Sequence, residues 1–323
     1  MMSGHYSFTS CFAPFIESLI TEKRNAGFQY EHAEWRLHKF DEFCNQELLK
    51  TPVITKELAE KWEILRKTET KVTLARRISI LRQLSLYMQA YGIQCYVPRN
   101  FSHKSSHIAY VLSIEEIQSL FRELDSYQSA VNAEAFHRLA LEYRILFRML
   151  FCCGLRVSEA RKLRLDMADL ENGVLRIYQS KRRNDRLVYL PEDLRQLCCE
   201  YLKIMTVKYK IKSEWFFPAS DPEKVLQVAS VGKRFHRAWK QTPYAREGVL
   251  QPTVHSLRHT FVVLRMNEWM KSGVRLDNMM PYLSKYLGHS SPDDTFYYYH
   301  QVEEAFSIIK QKDQSASLSL IHI

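Results

Sequence analysis

Side chains of the types that move a phosphoryl group fall in four separate segments of this chain. The first is Gly154-Leu155-Arg156-Val157-Ser158-Glu159-Ala160. An arginine just after a glycine break sits near a helix start, where Ser158 or Glu159 can support it. The second is the polar turn from Ser180 to Asp185, carrying Lys181, Arg182 and Arg183. A basic hairpin tip suits a nucleic-acid groove, and reads equally as a solvated turn. The third is His255-Ser256-Leu257-Arg258-His259-Thr260. On a helix, positions i, i+3 and i+4 share a face, so His255, Arg258 and His259 cluster. The fourth is Leu287-Gly288-His289, followed by Thr295, Tyr297, Tyr298 and Tyr299. Taken alone, each has a plain structural reading: a helix-end ion pair, a charged turn, a polar helix face, packed tyrosines.

Together they are the parts of a phosphodiester transesterase. Two guanidiniums can hold the non-bridging oxygens of a scissile phosphate and neutralise charge that grows in the transition state. A tyrosine hydroxyl can serve as nucleophile. Lysine or histidine can protonate the leaving oxygen. Such a site needs neither metal nor cofactor, since arginines take the place of the Lewis acid. His255 and His259 do have H-x-x-x-H spacing. However, Ser256 stands where H-E-x-x-H has its Glu, and no third ligand is evident, which argues against zinc.

The rest of the composition agrees with that chemistry. The chain has 323 residues, about two domains' worth. Its 46 Lys+Arg against 36 Asp+Glu give a net charge of +10, which favours a polyanionic partner. The nine glycines are widely scattered. Dinucleotide-binding and P-loop motifs need glycines two to five residues apart, so both are excluded. Seven cysteines include the adjacent pairs Cys152/Cys153 and Cys198/Cys199, which are poor disulfide partners. No stretch reads as a membrane span or a signal peptide. A reduced, cytosolic protein is the expected reading.

The elements that must position these residues follow from apolar period and breakers. Residues 10–25, 32–49, 55–66 and 69–91 read as four helices, with Thr55 as a cap. The basic residues Lys71, Arg76, Arg77 and Arg82 mark the last of these as a phosphate-contacting face, or as a solvated one. Residues 98–111, with Pro98 and a Ser/His/Lys cluster, read as a linker. Ser113 and Glu116 match a capping box. Helices then fall over 133–152, 157–163, 192–209, 230–241, 256–271, 277–286 and 302–310, and Pro292 suggests one more helix start. Residues 174–179 and 186–190 read as a hairpin. The domains expected are 1–97, helical, and 112–311, catalytic, with a tail over 312–323.

On these motifs the chain resembles the tyrosine recombinase (phage integrase) family, in its short Xer-like or mobile-element form. The carrying residues are the G-L-R-V-S-E-A run, the hairpin ending in D-R-L-V, H-S-L-R-H-T, and L-G-H-S followed by T-x-x-Y, in matching order. The resemblance implies a mainly α fold with a small β-sheet. It implies an N-terminal four-helix, core-binding (SAM-like) domain and a C-terminal α+β catalytic domain. It implies Arg156, Lys181, His255, Arg258 and His289 as catalytic residues, Glu159 as the supporting acid and Tyr298 as nucleophile. Tyr297 and Tyr299 are then packing neighbours. Lys71, Arg76, Arg77, Arg82, Arg182 and Arg183 are the expected DNA contacts. The activity implied is site-specific DNA recombination through a 3′-phosphotyrosine, without ATP. The partners implied are double-stranded recombination sites, a tetramer of the chain on DNA, and accessory or sister recombinases. A type IB topoisomerase-like relaxing enzyme and a catalytically idle DNA-binding regulator would use the same framework. Residues 301–310 are expected to dock on a neighbouring protomer or to pack in cis.

Overall fold

Pro14 near the start of α1 (Ala13–Asn25) removes an N–H that would lack a helical partner anyway. Asp41, buried on α2 (Glu31–Gln46), accepts the Thr9 and Ser10 N–H groups and so pins the entering chain. Helices α3 (Lys56–Glu63) and α4 (Lys71–Ala90) are capped by Thr55 and Thr70, whose hydroxyls accept N–H bonds at 3.2 Å. These four helices enclose one core built on Phe12, Ile16, Leu37, Phe40, Trp62, Leu81 and Met88. The computed structural model describes residues 6–100, 109–128, 133–178, 185–289, 291 and 293–299. The chain divides into two compact units, Met1–His107 and Ile108–Ile323.

The second unit is a helical layer around a small sheet. Ser113 caps α5 (Ile114–Ser126) in the expected capping box with Glu116. The long apolar helix α6 (Glu134–Cys152) packs on α5, on the short α7 (Val157–Arg161), on α8 (Glu192–Val207) and on α10 (Val254–Lys271). Helix α9 (Val228–Gln241) closes against α5 and α10. The sheet runs β1 (Ala168–Asp169), β2 (Val174–Ile177), β3 (Arg186–Tyr189), antiparallel throughout, with Leu175 opposite Val188. Helices α11 (Leu276–Leu287) and α12 (Asp293–Tyr299) complete the described part. The fold is therefore mainly helical with a three-stranded sheet.

Three expectations shift. The third strand, β1, is only two residues long, too short to carry an alternating pattern. Residues 109–111, read as linker, belong to the second unit. Ala109 is buried, the Tyr110 hydroxyl donates to Glu116 at 2.6 Å, and Leu112 N–H donates to Thr260 Oγ1 at 2.9 Å. The helix read to residue 66 stops at Glu63, where Ile64 turns extended. The expected helix at 302–310 lies outside the described residues.

Two apolar clusters support the second unit. The larger spans α5 to α9 and the sheet. The smaller joins Phe261, Val262 and Met266 of α10 to Met280, Leu283 and Leu287 of α11, and to Tyr298 of α12. Tyr298 is thus held by packing between two helices.

Candidate active site

The site is organised by the C-terminal end of α11. A helix leaves its last four carbonyls without intrahelical partners. Gly288 adopts φ +67°, and the N–H groups of Gly288 and His289 return to Lys285 and Ser284, each at 3.0 Å. This is the Schellman closure, and it favours glycine because the conformation is left-handed. The next three carbonyls each take a guanidinium. Arg186 Nε donates to Tyr286 O at 2.6 Å, Arg258 Nη2 to Leu287 O at 2.8 Å, and Arg156 Nη2 to Gly288 O at 2.8 Å. The negative end of the helix dipole favours cations there.

The three arginines come from three elements: the N-cap of α7, the first residue of β3, and the second turn of α10. Arg258 is held also from the other side, where Nη1 donates to Gly154 O at 2.6 Å. Gly154 has φ +63°, and a Cβ there would lie 2.5 Å from the Phe261 ring. Only glycine lets this backbone approach both groups.

One carboxylate serves two of the three. Glu159 accepts the Arg156 N–H and its Nη1, each at 2.8 Å. It also accepts Arg186 Nη1 at 3.1 Å and Nη2 at 2.8 Å. Burial alone would raise the Glu159 pKa. The bonds and charge of Arg186, then of Arg156, overcome that and hold it at about 2. Burial, then the charge of Arg156, lowers Arg258 to about 10, so it stays cationic at neutral pH. The cluster therefore gathers three guanidiniums at one helix end with a single carboxylate, which pairs with Arg156 and Arg186, and so carries an excess of positive charge.

His289 lies against this cluster. Its Nε2 is 2.9 Å from Arg258 Nη2 and its Nδ1 is 2.7 Å from Thr295 Oγ1. Burial, then the Arg258 and Arg156 charges, lowers its pKa to about 3, so the ring is neutral. Tyr298 is only 6% exposed, and its ring stacks on His289 at 6.3 Å between centroids. Burial raises the Tyr298 pKa, while the Arg258 charge and a hydrogen bond to Arg258 act the other way. On the other side His259 lies 4.8 Å from the Tyr298 ring, and the exposed His255 lies 4.5 Å from His259. Tyr297, one residue away, faces solvent at 42% exposure. The α12 register thus turns Tyr298, not Tyr297, toward the arginines.

The structure accordingly brings together Arg156, Glu159, His255, Arg258, His289 and Tyr298, joining segments as distant as Arg156 and Gly288, 132 residues apart in sequence. Lys181, Arg182 and Arg183 lie outside the described residues. Arg186 is a site residue that the motifs do not single out, although its position carries a signal. It shares the inward face of β3 with the buried Val188, and a charge on a buried strand face needs a partner. Among the described residues no group of acidic, cysteine and histidine side chains is arranged to hold a metal. No helix among them is long and apolar enough to cross a membrane.

The DNA-contact expectations on α4 divide. Lys71 and Arg76 are exposed. Arg82 is half-buried, with Nη1 on Pro98 O at 2.7 Å. Arg77 is a correction. It is 6% exposed and spends its donors on Glu69 at 2.7 and 3.0 Å, on Ile64 O at 3.0 Å and on Trp62 O. Its head is inside the unit, because α4 turns that position toward the end of α3.

A helical unit precedes an α+β unit, and the second gathers arginines, histidines and a buried tyrosine at one helix end. Residues 111–305 match the phage integrase family, and the chain belongs to it. Members of this family, the tyrosine recombinases, catalyse site-specific DNA strand exchange. The chain is 27% identical over 302 residues to the y4rB protein of Sinorhizobium fredii, described as an integrase/recombinase, covering 90% of this chain and 92% of that one. It is 24% identical to the tyrosine recombinase XerC of Thermodesulfovibrio yellowstonii, covering 94% and 95%. In fold it is similar to the Tn1549 transposon integrase solved in complex with transposon right end DNA. There the TM-score is 0.64 at 15% identity, covering 92% of this chain and 99% of that one.

Proposed function

We propose that this chain cuts and rejoins duplex DNA through a 3′-phosphotyrosine on Tyr298. The observation that carries the reading is the charge at the end of α11. Three guanidiniums converge on the last carbonyls of this helix, with Glu159 as the one carboxylate among them, beside a neutral histidine and a tyrosine. A surplus of positive charge in a half-buried site is costly without an anion. A phosphodiester supplies one negative charge, and its pentavalent transition state a second, which matches the surplus.

In the proposed reaction the Tyr298 oxygen forms a bond to phosphorus while the bond from phosphorus to the 5′-oxygen breaks. The phenol proton passes to His255, the exposed end of the His255–His259–Tyr298 ring series. Lys181 gives a proton to the leaving 5′-oxygen. Arg156, its side chain 32% exposed, receives the phosphate from solvent, and Arg258 supports it from beneath. Bond energy is conserved in the phosphotyrosine, so a 5′-hydroxyl from a partner duplex can reseal without ATP. Tyr298 is buried, so α12 must shift before its oxygen meets a phosphate. We assign four protomers on two duplex sites to the complete exchange, each clamping DNA with its two units.

The test begins by selecting bound sequences from a randomised duplex pool and nicking them into suicide substrates. A covalent DNA–protein band that survives detergent is expected, and Tyr298→Phe should remove it while binding remains. A band persisting in that variant would transfer the nucleophile elsewhere. Relaxation of plasmid lacking the selected site would favour a swivelase, and no adduct with any substrate would favour a regulator.

A further inference from the structure

A guanidinium has five N–H donors and no acceptor. Arg258 Nη2 lies 2.9 Å from His289 Nε2, so that nitrogen must present its lone pair. The neutral ring carries one proton, which therefore sits on Nδ1. Nδ1 lies 2.7 Å from Thr295 Oγ1, so the threonine oxygen is the acceptor. Thr295 is fully buried, and water has no access to replace it. Thr295 and Tyr298 are three residues apart on α12 and therefore share a face.

We propose that Thr295 is a positioning residue of the cleavage site: it accepts the Nδ1 proton of His289, holds the ring so that Nε2 meets Arg258, and ties the register of α12 to that guanidinium. Three consequences follow from the geometry. The His289 proton cannot move to Nε2 without leaving Arg258 N–H facing ring N–H, and Nδ1 facing a hydroxyl that must then donate. The orientation of Arg258, already set by Leu287 O and Gly154 O, gains a third acceptor. A displacement of α12 that carries Tyr298 toward DNA also pulls on His289, so the nucleophile and the electrophilic arginine are adjusted together. The kinetic side of this assignment rests on the transesterase reading, whereas the tautomer side rests on geometry alone.

The experiment compares Thr295→Val, which keeps the shape but removes the acceptor, with Thr295→Ser, which restores the oxygen. Ring-¹⁵N-labelled histidine reports the His289 tautomer, its signals assigned by their loss in His289→Gln. The wild-type chain and Thr295→Ser should carry the proton on Nδ1. In Thr295→Val the Nδ1–H loses its acceptor, so its signal should move while the proton stays on Nδ1 opposite Arg258. With a nicked duplex from the selected pool, Thr295→Val should form the covalent adduct on the order of 10- to 100-fold more slowly, as small misplacements of catalytic groups do. Thr295→Ser should recover most of that rate. A wild-type ring protonated on Nε2, or an unmoved Nδ1 signal in Thr295→Val, overturns the assignment. A moved Nδ1 signal with an unchanged adduct rate overturns the positioning role and leaves the recombinase reading intact. Absence of any adduct from the wild-type chain overturns the recombinase reading instead, and the nitrogen shifts still decide the Thr295 bond.

Discussion

Two corners of this molecule use one device to different ends. At the end of α3, Arg77 donates to the Trp62 and Ile64 carbonyls and to Glu69, with its guanidinium 4.7 Å from the Trp62 ring centre. At the end of α11, Arg186, Arg258 and Arg156 donate to the Tyr286, Leu287 and Gly288 carbonyls. Both corners satisfy orphaned helix carbonyls with buried cations. The α3 corner sets one arginine against one glutamate and is neutral. The α11 corner sets three arginines against Glu159 and is left positive. A neutral corner is finished when the chain folds, and a positive one is completed by an anion. Local packing looks alike in the two places, and the ratio of charges separates scaffold from site.

The comparison is broken most directly at Arg77. Arg77→Ala leaves Glu69, whose side chain is 6% exposed, without its cation. Losing one partner of a buried pair costs about 3–5 kcal/mol. Denaturant unfolding should record that loss, while adduct formation per folded molecule stays unchanged. A fall in DNA affinity without a loss of stability would return Arg77 to the phosphate contacts. Arg258→Ala should slow adduct formation per folded molecule, beyond any loss of stability from its buried bonds. Removing a transition-state donor costs about 2.7–4 kcal/mol, roughly a 100- to 1000-fold slower adduct. A retained cleavage rate would deprive the α11 corner of its catalytic meaning.

The Glu159 carboxylate sharpens the contrast by acid titration. Its folded pKa, about 2, lies below the ordinary carboxylate value of 4.5. A depressed folded pKa contributes stability above the unfolded value, and that stability is lost as pH falls through the folded one. The wild-type chain should therefore lose up to about 3 kcal/mol between roughly pH 4.5 and pH 2. Glu159→Gln should lack this component of the acid transition, as measured by unfolding at a series of pH values. An identical acid profile in the variant would separate Glu159 from the arginines. The smallest effect belongs to the exposed basic residues of α4. Lys71→Gln and Arg76→Gln should each flatten the salt dependence of DNA binding, by about 0.9 for every phosphate left unneutralised. An unchanged slope would make them an ordinary solvated face.

Much of the fold is legible in the sequence because the governing signals are local. Thr55 and Ser113 cap helices through bonds three residues away, and Pro14 fits a first helical turn wherever it falls. The apolar period of α6 marks a buried helix without reference to its partners. Arg77 misleads for the opposite reason. Arg76 and Arg77 are adjacent and chemically identical, and only the packing of α4 against α3 decides which one faces solvent. Arg186 lies within the D-R-L-V run, yet its place in the site escapes the reading because its partners, Glu159 and Tyr286, are 27 and 100 residues away.

What the sequence determined by itself is the chemical inventory: arginines, histidines and a tyrosine in family order, and no glycine-rich phosphate loop. Side-chain types and short spacings fix these, since they require no knowledge of distant contacts. Tertiary structure alone decided which cations share a carboxylate, how deeply Tyr298 is buried, and which nitrogen of His289 carries the proton. Those outcomes depend on hydrogen bonds that close only when α7, β3, α10, α11 and α12 meet at one helix end. Burial there raises the cost of every unpaired donor, so a single arrangement of the three arginines remains.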